Sequence, residues 1–214
     1  MCTGQSWMDT LRQNGFFGAA AVAVVAALVL GEGLAVAAWL VAGLLISAGA
    51  IQRNARTGTL LTALLCFASN GYLFSQKLDA ESGPSLCNIN QVLNCDIVNS
   101  SQASEMFGLP ITLYGMGFYM GLVIASMFAQ KSTPRLFQVS GLFACLNLVY
   151  SAWLAYESKR IGAVCVMCIS IYIGNGLLLW AAIRGLREQG ESLLRDLGKT
   201  PLSTSALTLS LIHI

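Results

Sequence analysis

Two pairs of cysteines set the chemical question. Cys165 and Cys168 stand three apart in GAVCVMCISIY (residues 162–172), at the mouth of an apolar run. Cys87 and Cys95 stand eight apart in the polar stretch PSLCNINQVLNCDIVNSSQASEMFGLP (residues 84–110). A Cys-x-x-Cys suggests a redox pair or half of a zinc site. Where such a pair opens a helix, exposed N–H groups and the macrodipole lower the nearby thiol's pKa and raise its thiolate fraction. Cys165, expected in the first turn, is then the residue to meet the loop. Cys168 lies one turn deeper, where an apolar ligand inside a bundle can touch it. A pair so placed can take electrons from outside a membrane and pass them inward. Plainer readings exist for each pair alone: a static loop disulfide for Cys87 and Cys95, and chance packing cysteines for Cys165 and Cys168. A zinc site needs all four thiolates around one ion, and a spacing of eight is wide for a knuckle. His213, the only histidine, lies at the extreme end, so histidine ligands and bases drop out and no metal site is expected. Cys66 and Cys145 fall mid-span and read as small apolar packing residues, while Cys2 lies at the N-terminal end.

The elements that must hold these thiols are membrane helices. The chain of 214 residues is 56% hydrophobic and 10% charged, against roughly 25% charged in an ordinary soluble domain. No basic block suggests nucleic acid; membrane lipid is the surrounding partner. Charge-free stretches run over Thr57–Gln76, Met106–Gln130, Leu136–Tyr156 and Ile161–Ile183, each near or above the ~20 residues that cross a bilayer. Upstream lie Phe16–Leu30 and Leu34–Ile51, parted by Gly31-Glu32-Gly33. A signal peptide is an alternative for the first, but a hairpin turning at the glycines gives six spans. The expected fold is an all-α integral membrane protein, a four-helix transmembrane core at 57–184 with two additional N-terminal transmembrane helices within 1–56. A loop at 77–109 and a charged, amphipathic cytoplasmic tail at 185–208 complete it. The last residues, 209–214, read as a translated sequencing adapter and are set aside.

Lysine and arginine set the orientation. With the N-terminus cytoplasmic, Arg12, Arg53, Arg56, Lys131, Arg135, Arg184, Arg187, Arg195 and Lys199 lie inside, and only Lys77, Lys159 and Arg160 lie outside. That choice puts both cysteine pairs on the outer, oxidising face, where disulfide chemistry belongs.

Taken together, the pair eight apart followed by DIVNSS, the FGLP before a helix, and CVMCISIY at the last core helix resemble the vitamin K epoxide reductase family. The closer likeness is to bacterial members that couple disulfide formation to quinone reduction. The resemblance implies a four-helix bundle around a quinone of ubiquinone or menaquinone type. It implies that Cys87 exchanges with an external thioredoxin-like protein, that Cys95 relays to Cys165, and that Cys168 reduces the quinone. The partner would be a separate chain or a lost fused domain. Ser101, six after Cys95, matches the family's loop serine, and Tyr172, four after Cys168, a tyrosine lining the ligand pocket. Cys168, Tyr172 and Asn175 also share one helix face at i, i+4 and i+7. Asn175, polar at membrane depth, is expected to face the bundle interior, as a packing group or a ligand contact.

One departure bears on substrate. Where animal members carry an asparagine against the naphthoquinone ring, LPITLYG offers Thr112 and Tyr114, which favours plain quinone reduction over epoxide reduction. The reading that follows is a quinone-dependent thiol–disulfide oxidoreductase in the bacterial inner membrane, multi-pass, with its active site facing the periplasm. A different class, a transport or assembly subunit with a structural outer disulfide, would show no thiol-driven quinone reduction. An exporter of reductant would need a second membrane-depth thiol pair, which Cys66 and Cys145 do not form.

Overall fold

The computed structural model describes residues 15–25, 32–78, 84–129 and 134–199, with backbone alone for 32 and 191–199. It is an all-α membrane protein. Five helices are long and apolar enough to span a bilayer: α2 (Glu32–Arg53), α3 (Ala55–Leu78), α5 (Ile111–Phe128), α6 (Pro134–Ile161) and α7 (Val166–Lys199). A shorter apolar helix, α1 (Gly15–Val25), precedes them; residues 26–30 of the expected first span lie outside the described residues. Glu32 and Gly33, expected in the hairpin turn, instead begin α2.

Helix α3 is the central element, packing against α2, α5 and α7, while α6 packs chiefly on α7. With almost no hydrophobic drive between helices in lipid, close approach of small residues carries much of the association. Gly174 of α7 meets the Cys66 sulfur of α3 so closely that a Cβ there would overlap it. Around this point Ala63, Cys66, Tyr119, Leu122, Val123, Ala144 and Leu178 form the inner core. Helices α5 and α6 barely touch, and the space between them becomes the site. At the end remote from the cysteines, Asn54 caps α3 by accepting from the N–H groups of Arg56 (3.0 Å) and Thr57 (3.2 Å). Arg56 then donates to the carbonyls of Ser126 (2.7 Å) and Met127 (2.8 Å), closing the orphaned C-terminus of α5.

Three expected boundaries move. Span 106–130 begins instead at Ile111, because Glu105–Met106 (β1) pairs with Leu109–Pro110 (β2) in an antiparallel hairpin. Its two-residue turn holds Phe107 and Gly108 at φ 53° and 77°, the turn type that suits a hairpin's twist. Ile161 closes α6 rather than opening the last span. Gly162, at φ 76°, takes the left-handed position after the helix, and the N–H groups of Gly162 and Ala163 return to the Ser158 carbonyl. At the far end α7 does not stop near Ile183; its backbone helix continues to Lys199, and residues 200–214 lie outside the described residues.

Candidate functional site

The turn at Gly162 gives the site its geometry. It sends the chain back so that Val164 forms a parallel bridge with Leu93 of the outer loop. The Val164 N–H donates to the Val92 carbonyl at 2.7 Å, and the Asn94 N–H donates to the Val164 carbonyl at 2.9 Å. One residue after Val164 comes Cys165, and one after Asn94 comes Cys95. Two backbone hydrogen bonds thus set the loop pair beside the helix pair.

Cys87 and Cys95 form a disulfide with Cα atoms 6.0 Å apart, whereas Cys165 and Cys168 are free thiols. Cys95 opens a short helix, α4 (Cys95–Asn99), capped by Asn94, whose side chain accepts from the Ile97 N–H at 3.1 Å. Asp96 ties the two halves of the loop. Its carboxylate accepts from the Ser85 N–H (3.1 Å), the Ser85 hydroxyl and the Asn88 amide (2.6 Å), and Asn88 Oδ1 accepts from the Cys95 N–H at 2.8 Å. Partial burial pushes the Asp96 pKa up, but the Ser85 and Asn88 hydrogen bonds outweigh it, holding the carboxyl below its ordinary range. Further bonds fasten the loop to the outer end of α3: the Leu86 N–H to the Tyr72 hydroxyl (2.8 Å), the Asn99 amide to the Leu73 carbonyl (2.8 Å), and the Lys77–Glu105 ion pair (2.9 Å).

The result is a sealed sulfur cluster. Cys87 and Cys95 are 0% exposed and Cys165 is 2% exposed, all packed with Leu40, Leu73 and Met167. Cys165 stands one residue before α7 rather than within its first turn. Its sulfur accepts the Cys168 N–H at 3.2 Å, and its carbonyl accepts the Ile169 N–H at 3.1 Å, so the thiol itself caps the helix. A hydrogen bond from the Cys168 side chain, joined by the N–H groups of Cys168 and Met167, holds the Cys165 thiol below its ordinary range against the cost of burial.

Cys168, half-buried, packs on the edge of that cluster and also opens onto the membrane interior. It lines a cavity of about 420 Å³ between α3, α5, α6 and α7, a volume within the usual range for small-molecule sites. The walls are mainly apolar, with polar groups from Asn70, Thr112, Tyr119, Asn147, Ser151, Tyr172 and Asn175. Among the described residues the Tyr172 hydroxyl makes no hydrogen bond to protein, and Thr112 Oγ1 is buried without a partner. Below the cavity an apolar groove between α5 and α6 continues past Phe118 and Phe143, residues common to both.

The residues singled out from sequence separate here. Cys87, Cys95 and Cys165 come together; Cys168, Tyr172 and Asn175 share the cavity. Ser101 stands apart from that cavity, in a narrow cleft it lines with Thr112, Cys168 and Tyr172, and its hydroxyl donates to the Val98 carbonyl at 2.7 Å. Cys66 is buried as expected, whereas Cys145 is exposed on the lipid face of α6 rather than packed; Cys2 lies outside the described residues. Among the described residues no cluster of three or more His, Cys, Asp or Glu could hold a metal ion. Asp96, Tyr119 and Ser151 went unnoticed in the sequence. For the latter two the available signal was a polar side chain at membrane depth.

No curated protein matches the chain. The family model described as the Vitamin K epoxide reductase family matches residues 58–183, more than half of the chain, from the first turn of α3 to the membrane end of α7. Buried loop disulfide, capped helix thiol and intramembrane cavity all fall within that match, and the chain belongs to the vitamin K epoxide reductase family, as a membrane thiol–disulfide oxidoreductase.

Proposed function

We propose that the protein oxidises a thioredoxin-like dithiol protein on the periplasmic face of the bacterial inner membrane and passes the electrons to a membrane quinone. One observation carries this reading: Cys165 packs against the loop disulfide, and Cys168, three residues on and at the edge of the same cluster, lines the membrane cavity. That is the arrangement a relay between a protein in water and an oxidant in lipid requires.

The cavity suits a quinone head. It offers apolar walls, the Tyr172 hydroxyl and the orphaned Thr112 hydroxyl near Cys168, and an apolar groove toward lipid for an isoprenoid tail. A bound quinone supplies a two-electron, two-proton acceptor, which no side chain here can replace. Thr112 and Tyr172 would hold it, with Ser101 bordering the Cys168 end.

The sulfur chemistry belongs to the chain. Starting from an oxidised Cys165–Cys168 pair and a reduced loop, the Cys95 thiolate attacks Cys165. A Cys95–Cys165 bond forms, and Cys168 leaves as thiolate. The Cys87 thiolate then attacks Cys95, forming Cys87–Cys95 and releasing Cys165 as thiolate. Two electrons and two protons have moved from loop to helix pair. The exchange would end with the loop oxidised and Cys165 and Cys168 free, the same pairing as in this structure. Its thiolate leaving group at Cys165 is the one favoured by the helix cap. Outward, the loop disulfide accepts electrons when the partner's thiolate attacks Cys87, freeing Cys95.

Purified protein in detergent should reduce a short-chain quinone with dithiothreitol as electron source. Alkylation of the reduced thiols should abolish that activity, as should Cys168→Ser. Full activity in Cys168→Ser would exclude this reading and leave a structural disulfide.

A further inference from the structure

The cavity has a second polar pole that the relay does not use. The Tyr119 hydroxyl of α5 donates to Asn175 Oδ1 of α7 at 2.7 Å, and Asn175 Nδ2 donates onward to Ser151 Oγ of α6 at 3.4 Å. Their exposures are 2%, 2% and 7%, and all three line the cavity. The chain of bonds has a direction. Tyr119's proton is committed, and Asn175 has spent both its acceptor and a donor. Ser151 accepts, and among the described residues nothing takes its own proton. A buried donor left unmade is costly, and costlier still where no water competes. The donor that ends the chain therefore belongs to whatever fills the cavity.

Position says which part of the ligand it meets. Cys168 and Asn175 are seven residues apart on α7, about 10 Å along the axis, so the two poles lie at different depths of one cavity. A para-quinone carries its two carbonyl acceptors on opposite edges of the ring, and each wants a donor. Thr112 and Tyr172 stand at the Cys168 end. Ser151 is the free donor at the other.

We propose that Ser151 is a specificity-determining contact of this oxidoreductase, donating to the quinone carbonyl remote from Cys168, with Tyr119 and Asn175 as positioning residues that aim its hydroxyl. The assignment rests on the quinone reading above. It also gives Asn175 the interhelical role, one of the two that its place in the sequence allowed. The amide is consumed within the protein, and its effect on a ligand is transmitted through Ser151. A site built to donate at both carbonyls discriminates against rings that lack one of them.

The test uses the full chain in detergent with menadione, a soluble naphthoquinone, 13C-labelled at one carbonyl or the other. Binding is followed by titration, and the carbonyl stretch by infrared difference spectroscopy. Wild type should shift both carbonyl bands to lower wavenumber. Ser151→Ala should restore one band to its unbonded position and weaken binding roughly 2- to 13-fold. Ser151→Thr, which keeps a hydroxyl, should retain the shift. Tyr119→Phe should weaken binding in the same direction by less. Should Ser151→Ala not fold, Ser151→Cys, a near-isosteric weak donor, takes its place with the same expected loss of shift. Unchanged affinity with both bands still shifted in Ser151→Ala would overturn the proposal while leaving quinone reduction intact. A wild-type protein that binds neither menadione nor a short-chain ubiquinone, and whose Cys165 and Cys168 neither oxidises, would overturn both.

Discussion

The free cysteines among the described residues have different fates, and burial and hydrogen bonding decide which. Cys66 is wedged under Gly174, where its sulfur is a filler, and Cys145 faces lipid. Alanine at either position should keep the relay, at a modest stability cost for Cys66 and almost none for Cys145. Cys165 is buried too, but N–H and S–H donors converge on it and hold its pKa below the ordinary thiol range. Its thiolate fraction therefore stays high as pH falls toward that lowered value, and exchange with the loop should persist below the pH where an ordinary thiol slows. The relay order can be trapped. Cys168→Ser removes the thiol that resolves the reverse exchange, so attack of Cys165 on Cys95 should accumulate a Cys95–Cys165 crosslink with Cys87 free, identified by mass spectrometry of the linked peptides. A Cys87–Cys165 link would reverse the two shuttle roles. Tyr172→Phe should weaken quinone interaction roughly 2- to 13-fold with the fold intact, the worth of one hydrogen bond of about 0.5–1.5 kcal/mol. Unchanged affinity would remove Tyr172 from the site. What the sequence showed at this scale was whatever is local. The shared face of Cys168, Tyr172 and Asn175 follows from helix period alone. The partners of Asn175 do not, because Tyr119 and Ser151 come from two other helices and no spacing announces them.

Among the elements, the loop is the one that must open. A disulfide whose sulfurs are wholly covered cannot meet a protein partner until the segment around Cys87 lifts. Asp96 is the clasp: it joins Ser85 and Asn88, on either side of Cys87, to the start of α4. Because its folded pKa lies below the unfolded value, the clasp contributes fully above the ordinary carboxylate range. The contribution is lost as pH falls through the depressed value. Asp96 is partly exposed, so its hydrogen bonds are worth about 0.5–1.5 kcal/mol in all. Asp96→Ala at neutral pH should then speed reduction of Cys87–Cys95 by a bulky soluble phosphine roughly 2- to 13-fold, read by alkylation of Cys87. Wild type and variant should converge in acid below that range; identical rates at neutral pH would assign opening to the Leu93–Val164 bridge instead. The helices themselves were legible as apolar runs, but their ends were not. Hydropathy counted Met106–Pro110 and Ile161–Cys165 into spans, although a hairpin turn and a left-handed glycine shape them. The signal for the second was present, since Lys159 and Arg160 before Gly162 is how a helix ends.

Across the whole molecule, the two ends carry opposite properties. The loop, the disulfide and Cys165 gather at one end with Lys77, Lys159 and Arg160. Arg53 and Arg56 border a cavity with Met127 and Glu188 at the other, and Arg184 and Arg187 lie within the same turns of α7 as Glu188. Both ends carry cations, but the arginines gather mainly at the end remote from the sulfur, with α3 and α7 running between the two ends. The positive-inside rule predicts a cytoplasmic arginine-rich end and an outer sulfur cluster. Spheroplasts treated with a mild reductant and then a membrane-impermeant maleimide should label Cys87 and Cys95 and spare Cys2. Cys145, exposed within the span of α6, should also stay unlabelled, since it is out of reach of a membrane-impermeant reagent. Lysed membranes provide the control, in which Cys2 should become reactive. Labelling of Cys2 in intact spheroplasts together with the loop would mean an even number of spans before the loop, so that α1 does not cross. Labelling of Cys2 alone would invert the protein and place the disulfide in a reducing compartment, where a quinone-coupled oxidant of outer proteins has no substrate.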